Sequence, residues 1–169
     1  MIINKNLTNL RLELDNIDNK IAKLILQRIE IVKQIGNIKK QEKNNFYVPE
    51  REEEIFSRLS TLYPKLNPKI IKVIFTEIIS ASRSYEKIFN IAIKEHFLSK
   101  IATQNIFGSF CNTHVFNNIN EIVSKDIDYL LIPLDVNYDN LVEINSNFLL
   151  LKKIVVENIE FYLFEKVQK

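Results

Sequence analysis

Apolar residues in the first part of the chain recur with the spacing of a long helix. From position 10 to position 38 the steps alternate between four and three residues, along Leu10, Leu14, Ile17, Ile21, Leu24, Arg28, Ile31, Ile35 and Ile38. Such a stripe is the seam of a helix that packs lengthwise on other helices, and Arg28 interrupts it. A buried guanidinium without an anionic partner is costly, so Arg28 either reaches water, pairs with a protein carboxylate or binds an anionic ligand.

Proline and charge patterns divide the first half of the chain into three helices. The first helix is predicted over residues 7 to about 42, where a polar, lysine-rich stretch ends it. Pro49 suits the first turn of a second helix over residues 50–62, and Asn67 with Pro68 opens a third helix that runs to about Ile88. A first helix of roughly 35 residues spans about 50 Å. Its seam therefore needs a long partner, most simply a second copy of the chain.

Beyond about residue 90 the pattern changes to short apolar runs that alternate with polar turns. The runs predict strands at 91–93, 129–133, 148–151, 154–156 and 161–164, with helices at 98–107 and about 119–125. We therefore predict a small α/β domain over residues 90–169 that follows a helical domain over residues 1–89, which makes the fold class α+β. Gly108 is the only glycine of this second half, so no glycine-rich loop is available for a nucleotide phosphate.

Composition narrows the expected partners. The net charge of +2 is small, and no basic tract is interleaved with aromatic residues, so no nucleic-acid partner is expected. One cysteine, Cys111, and two histidines, His96 and His114, suggest neither a disulfide nor a metal site. No apolar run has the length of a signal-peptide core or a membrane span, so we expect a cytoplasmic protein without a membrane partner.

Two cationic residues can act together with Arg28. Arg28 and Lys39 are 11 residues apart. On a helix they project from nearly the same face, roughly 16 Å apart along the axis, where two long side chains could enclose one small dianion. Arg11 lies roughly 25 Å from Arg28 along the helix, too far to share a small pocket within one chain. In an antiparallel dimer, Arg11 would instead complete the site of the partner.

Four further polar residues on the second and third helices can join this group. They are Arg51, Glu52, Ser82 and Glu86. Each candidate also has an ordinary interpretation, because Lys39 is typical of a solvated helix end and the neighbouring Arg51 and Glu52 are typical of surface charges. Arg11 is typical of an exposed residue, and Glu86 fits either interpretation equally well.

The segment from Leu10 to Lys87 resembles the all-helical class of chorismate mutase, in the form found at the amino end of bifunctional chorismate mutase and prephenate dehydratase proteins. The resemblance rests on LRLELDNIDNKIAKLILQRIEIVKQIGNIKK (10–40), YVPEREEEIFSRL (47–59) and IFTEIISASRSYE (74–86). It implies an intertwined homodimer of three-helix chains. It also implies an isomerase that rearranges chorismate to prephenate in phenylalanine and tyrosine biosynthesis, without a nucleophile, metal or cofactor.

The resemblance implies a role for each candidate residue. Arg28, with Arg11 from the other subunit, would clamp the two carboxylates of chorismate. Lys39 would donate to the ether oxygen whose bond breaks, and Glu52 would accept the ring hydroxyl. Arg51 would support the charge of the site, and Ser82 would lie near a carboxylate of the substrate.

Glu86 stands where most relatives carry glutamine as the second donor to the ether oxygen. A carboxyl group donates a hydrogen bond only when it is protonated, so an ionised Glu86 would repel the negative charge that develops on that oxygen. We therefore expect an activity that falls as the pH rises through the pKa of Glu86. Val48 stands where some relatives carry an aspartate, so one polar contact with the substrate is expected to be lost.

The second half resembles, more faintly, the first lobe of a prephenate dehydratase domain. The resemblance rests on HFLSKIATQNIFG (96–108) and DIDYLLIPLDVN (126–137). The glycines and the threonine-arginine motif of that domain have no counterpart, so dehydratase activity is not expected. This half would be a structural cover for the helical dimer or a docking surface. Two other functions remain open for the first half, a metabolite sensor without turnover and an isochorismate pyruvate lyase.

Overall fold

Three helices form the first half of the chain. The computed structural model describes residues 6–42, 45–118, 120–123, 125–134 and 147–167. Helix α1 spans Leu7–Glu42, α2 spans Pro49–Leu62 and α3 spans Pro68–Arg83. All three predicted helices are present. Helix α3 ends five residues earlier than expected, because the chain leaves it through a turn at residues 84–86 and enters a strand at Phe89.

The second half is built on a sheet. Its elements are β1 (Phe89–Lys94), α4 (Ser99–Phe107), β2 (Cys111–Phe116), α5 (Asn120–Val123), β3 (Tyr129–Pro133), β4 (Phe148–Val156) and β5 (Ile159–Lys166). In the described residues the five strands lie in the order β2-β1-β3-β5-β4. Strand β1 is parallel to β2 and β3, whereas β5 is antiparallel to β3 and β4. The predicted α+β fold class is confirmed.

Two strands differ from the prediction. Strand β2 was not predicted, because three of the six residues in its sequence CNTHVF are polar and four of its six side chains are exposed at the edge of the sheet. Strand β4 joins the two apolar runs that were predicted as separate strands, and its register shifts between Leu150 and Lys152. Within the described residues, strands β2 and β4 are the two edge strands of the sheet. An edge strand has a neighbour on one side only, so its sequence need not be as apolar as that of a central strand.

An aromatic cluster joins the helices to the sheet. Tyr47, from the connection between α1 and α2, is buried with Phe89, Phe107 and Tyr129. The ring centroids of Tyr47 and Phe107 are 4.9 Å apart, and those of Phe89 and Tyr129 are 5.0 Å apart. The core of the sheet therefore extends across the predicted boundary at residues 89 and 90, and the division into two domains there stays a prediction.

Helix α1 buries a different face from its apolar seam. Its buried residues are Ile29 and Gly36, whereas the seam residues Leu14, Leu24 and Ile31 are 58%, 63% and 57% exposed. The seam is thus left open in the single chain while the neighbouring face packs on α3. No helix in the described part of the chain is long and apolar enough to cross a membrane.

The hydroxyl of Tyr47 gives a direct test of the aromatic cluster. It is buried and has no hydrogen-bond partner among the described residues. Leaving a hydroxyl unsatisfied in an apolar environment costs free energy, so Tyr47→Phe should raise the free energy of unfolding by about 1 kcal/mol. Urea denaturation measures this change. Tyr129→Phe is the matched control, because the Tyr129 hydroxyl reaches Glu165 at 3.5 Å and its removal should not stabilise the protein.

Candidate active site

Arg28 lies partly buried between α1 and α3. Its Nη1 donates to the backbone oxygen of Ile78 over 3.4 Å. Burial lowers the pKa of the guanidinium, and the nearby carboxylates of Glu52 and Glu86 oppose this shift, while Arg83 adds to it. Arg28 therefore belongs to a group of two cations and two carboxylates drawn from all three helices and from the turn that follows α3.

Glu52 and Arg83 form a buried ion pair. Arg83 Nη1 lies 2.6 Å from Glu52 Oε1, and the two side chains are 8% and 14% exposed. Burial raises the pKa of the Glu52 carboxyl, and the positive charges of Arg83 and Lys152 oppose this rise. Sequence reasoning assigned no role to Arg83. The only available signal was an arginine directly after Ser82 in a run of otherwise apolar and small residues.

Glu86 packs directly on α1. It follows α3 in a turn, and a Cβ atom placed on Gly36 would lie only 2.8 Å from Glu86 Cγ. Partial burial raises the pKa of Glu86, and Lys39, Arg83 and Arg28 oppose the rise. Because of Gly36, the carboxyl group can approach the helix that carries Arg28 and Lys39.

Lys39 lies beside this group, at the end of α1. Its Nζ donates to the backbone oxygen of Phe46 over 3.1 Å and sits 5.9 Å from the centroid of that ring. The side chain lines a cleft of about 870 Å³ that also includes Lys40 and Lys87. Lys39 thus reaches Glu86 electrostatically while its amino group is held by the connection to α2.

Of the other three predicted site residues, one lies beside this group in the single chain and two lie outside it. Ser82 is buried, and its hydroxyl donates over 2.7 Å to the oxygen of Ile78, the same atom that Arg28 contacts. Arg51 is 66% exposed and pairs with Glu54 at 2.9 Å. Arg11 is exposed in the second turn of α1. The structure therefore brings Arg28, Glu52, Glu86 and Lys39 together, with Ser82 beside them and Arg51 and Arg11 outside.

The grouped residues can bind an anion and exchange hydrogen bonds with it. Arg28 and Lys39 supply positive charge, Glu86 can donate when protonated, and Glu52 can accept when ionised. Fixed charges and donors of this kind can stabilise a polarised transition state in a site that excludes water. In the described residues no group of three or more histidine, cysteine, aspartate and glutamate side chains is placed to hold a metal ion.

Comparison with known proteins finds a family model that matches the helical half. Residues 10–87 match the family model of chorismate mutase type II. The chain is 33% identical over 150 residues to a bifunctional chorismate mutase/prephenate dehydratase of Aquifex aeolicus, which covers 82% of this chain and 41% of that protein. It is 38% identical over 63 residues to a chorismate mutase of Methanocaldococcus jannaschii, which covers 37% of this chain and 64% of that protein. The chain thus spans less than two thirds of either relative. No solved structure matches it.

The contact between Gly36 and Glu86 predicts an effect of Gly36→Ala. Alanine should favour the helix by up to about 1 kcal/mol, but its methyl group must displace the Glu86 side chain toward water. Because burial is the main cause of the raised pKa, the pKa of Glu86 should fall toward its ordinary value, as measured by NMR titration of the carboxyl carbon.

Asn37→Ala is the matched control for this substitution. Asn37 is exposed on the same helix, so alanine there favours the helix without touching Glu86. The Glu86 pKa should be unchanged in the control. An equally unchanged pKa in Gly36→Ala would contradict the packing of Glu86 on α1.

Proposed function

We propose that this chain, whose residues 10–87 belong to the chorismate mutase type II family, rearranges chorismate to prephenate. The observation that carries the proposal is the electrostatic group of Arg28, Glu52 and Glu86 with Lys39 beside it. All four residues lie within the segment that matches the family. Both relatives also carry chorismate mutase in their names.

The rearrangement is intramolecular, so the chain has to supply orientation and charge. In this proposal, Arg28 binds a carboxylate of chorismate, because a guanidinium offers two parallel N–H donors to a carboxylate. Glu52 accepts the hydrogen bond of the ring hydroxyl. Holding the reactive conformer in this way removes much of the entropic part of the barrier.

Lys39 and Glu86 act on the ether oxygen in this proposal. Negative charge develops on that oxygen as its bond breaks, and hydrogen-bond donors that are already in place stabilise it. Lys39 donates from its amino group, which has to leave the Phe46 carbonyl or share its protons with the substrate. Glu86 donates only in its protonated form, and its raised pKa supports that form under mildly acidic conditions.

A second copy of the chain completes the proposed site. The exposed seam of α1 supports a homodimer, since isolated apolar stripes of this length are normally covered. The 36 residues of α1 span about 54 Å. Arg11 and Arg28 are separated by roughly 25 Å along this helix, so Arg11 reaches a substrate at Arg28 only from the partner. We propose that it binds the other carboxylate there, with Arg51 and Ser82 as supporting residues.

Two alanine variants test the activity and the shared site together. Arg28→Ala and Arg11→Ala should each abolish the loss of chorismate absorbance and the appearance of prephenate. A heterodimer with one variant in each subunit has one intact site and one site that lacks both arginines. Co-expression with two different tags and purification through both should therefore recover about half of the wild-type activity.

Arg58→Ala is the control for this pair. It removes an exposed arginine from α2 that the proposal does not use, and it should leave turnover unchanged. No turnover by the wild-type protein would refute the mutase proposal. Turnover by wild type, with an inactive heterodimer, would contradict only the donation of Arg11 across the dimer.

Glu86 predicts the direction of the pH dependence. Because its pKa is raised, the protonated form that donates to the ether oxygen persists at mildly acidic pH and is lost as the pH rises. The value of kcat should therefore be several-fold higher at about pH 5 than at about pH 7.5. Glu86→Gln donates at every pH, so it should remove this decline. A flat wild-type profile or an inactive Glu86→Gln would contradict the role of Glu86.

A further inference from the structure

We propose that Arg83 is a positioning residue for Glu52, and that the sheet-bearing half of the chain holds Arg83 in place. The inference rests on the proposed function, since it concerns the carboxylate that accepts the ring hydroxyl of chorismate. It gives the second half of the chain a part in the mutase site, in addition to any covering role.

The two Nη atoms of Arg83 donate hydrogen bonds to different halves of the molecule. Nη1 donates to Glu52 Oε1 on α2 over 2.6 Å, and Nη2 donates to the backbone oxygen of Phe107 over 2.9 Å. Phe107 is the last residue of α4, where carbonyl groups lack helical partners and the helix dipole is negative. Since the guanidinium is planar and rigid, fixing one arm orients the other.

The approach of α4 to α3 is tight at this point. Gly108 follows Phe107 with a φ of 69°, and a Cβ atom there would lie 2.5 Å from Ser80 Cβ on α3. The hydroxyl of Ser80 also accepts a hydrogen bond from the backbone nitrogen of Phe110 over 3.0 Å. The chain that directly follows Phe107 is therefore held against α3, by the close approach at Gly108 and by the hydrogen bond at Phe110.

Aromatic rings enclose the same guanidinium. Its central carbon lies 4.8 Å from the centroid of Phe89 in β1, 5.5 Å from that of Tyr47 and 5.8 Å from that of Phe107. These rings exclude water, which strengthens the charge interaction with Glu52 and limits the movement of the arginine. Two of the three rings belong to the sheet and its helix α4.

This arrangement leaves one oxygen of Glu52 for a ligand. Among the described residues the carboxylate accepts one hydrogen bond, from Arg83 to Oε1, so Oε2 is available for a hydroxyl donor. Four other groups face it: Arg28 on α1, Lys152 on β4, Glu53 on its own helix and Tyr47 in the preceding connection. Arg83 is the largest of the influences that favour the ionised form against burial.

Lys152 is an independent contribution of the sheet to the same carboxylate. It is half-buried on β4, and its Nζ lies 5.8 Å from the centroid of Tyr47. Its positive charge acts to lower the pKa of Glu52, and among the cations only Arg83 has a larger effect. Glu86, in contrast, is faced by Lys39, Arg83, Arg28 and Lys40. Removing Lys152 should therefore affect Glu52 without affecting Glu86.

The test is the pH profile of kcat/KM for chorismate with the full chain. Arg83→Met keeps the long apolar stem among the rings and removes the charge, Lys152→Met removes the second cation, and Arg58→Met is the matched control. The acidic limb of the profile is the fall of kcat/KM at low pH. Both test variants should move it to higher pH, because a buried carboxyl that lacks a neighbouring cation is protonated more easily. At about pH 5 we expect kcat/KM to fall roughly tenfold or more in Arg83→Met, and by less in Lys152→Met.

The outcomes separate the inference from the proposed function. No turnover by wild type refutes the mutase proposal. If the wild type turns over chorismate and the acidic limb stays in place in both methionine variants, the positioning role is overturned and the mutase proposal remains intact. A purely structural role of Arg83 would lower the rate without moving the limb. If circular dichroism shows Arg83→Met to be unfolded, Arg83→Gln, which keeps a hydrogen-bond donor and removes the charge, takes its place. Arg83→Lys retains the charge and should keep the acidic limb near its wild-type position.

Discussion

A buried guanidinium has to have its charge and its N–H groups matched, and in this protein that requirement at Arg83 ties the helices to the sheet. The partners come from separate elements, with a carboxylate from Glu52 on α2, a carbonyl from Phe107 on α4 and a ring from Phe89 on β1. Moving α2 or α4 away would leave a charge or a donor unpaired in an apolar environment. One side chain therefore connects α2, α4 and β1, in addition to the aromatic cluster that joins the helices to the sheet.

The same arginine also explains how two carboxylates can serve opposite purposes in one site. Burial raises the pKa of both Glu52 and Glu86, and Arg83 opposes the rise in both. Glu52, however, is hydrogen-bonded directly to the guanidinium, whereas Glu86 lies in a turn against Gly36 and interacts with its cations through space. The direct hydrogen bond from Arg83 therefore opposes the raised pKa of Glu52 at the position that the proposed chemistry uses as an acceptor, whereas Glu86, the proposed donor, has no such bond among the described residues.

The sequence was sufficient for the features that depend on local patterns. The helical period, Pro49 and the Asn67–Pro68 pair predict the three helices, and Asn67 does cap α3, accepting a hydrogen bond from the backbone nitrogen of Lys69 over 2.8 Å. The role of Arg83 depends on a carbonyl at Phe107, 24 residues away along the chain, so no helical pattern could reveal it. The face of α1 that packs on α3 was also hidden, because the regular apolar seam is the face left exposed.

The two faces of the helical half explain why a dimer and a sheet are compatible. The seam of α1 remains exposed in the presence of the sheet, since the sheet contacts α3 and the connection at Tyr47 and leaves Leu14 and Leu24 uncovered. A second chain on the seam would therefore not displace the contacts that hold Arg83. Each proposed site would then be assembled from three sources. These are the helices of its own chain, Arg11 from the other chain, and the sheet-bearing half, which holds Glu52 through Arg83 and adds the charge of Lys152.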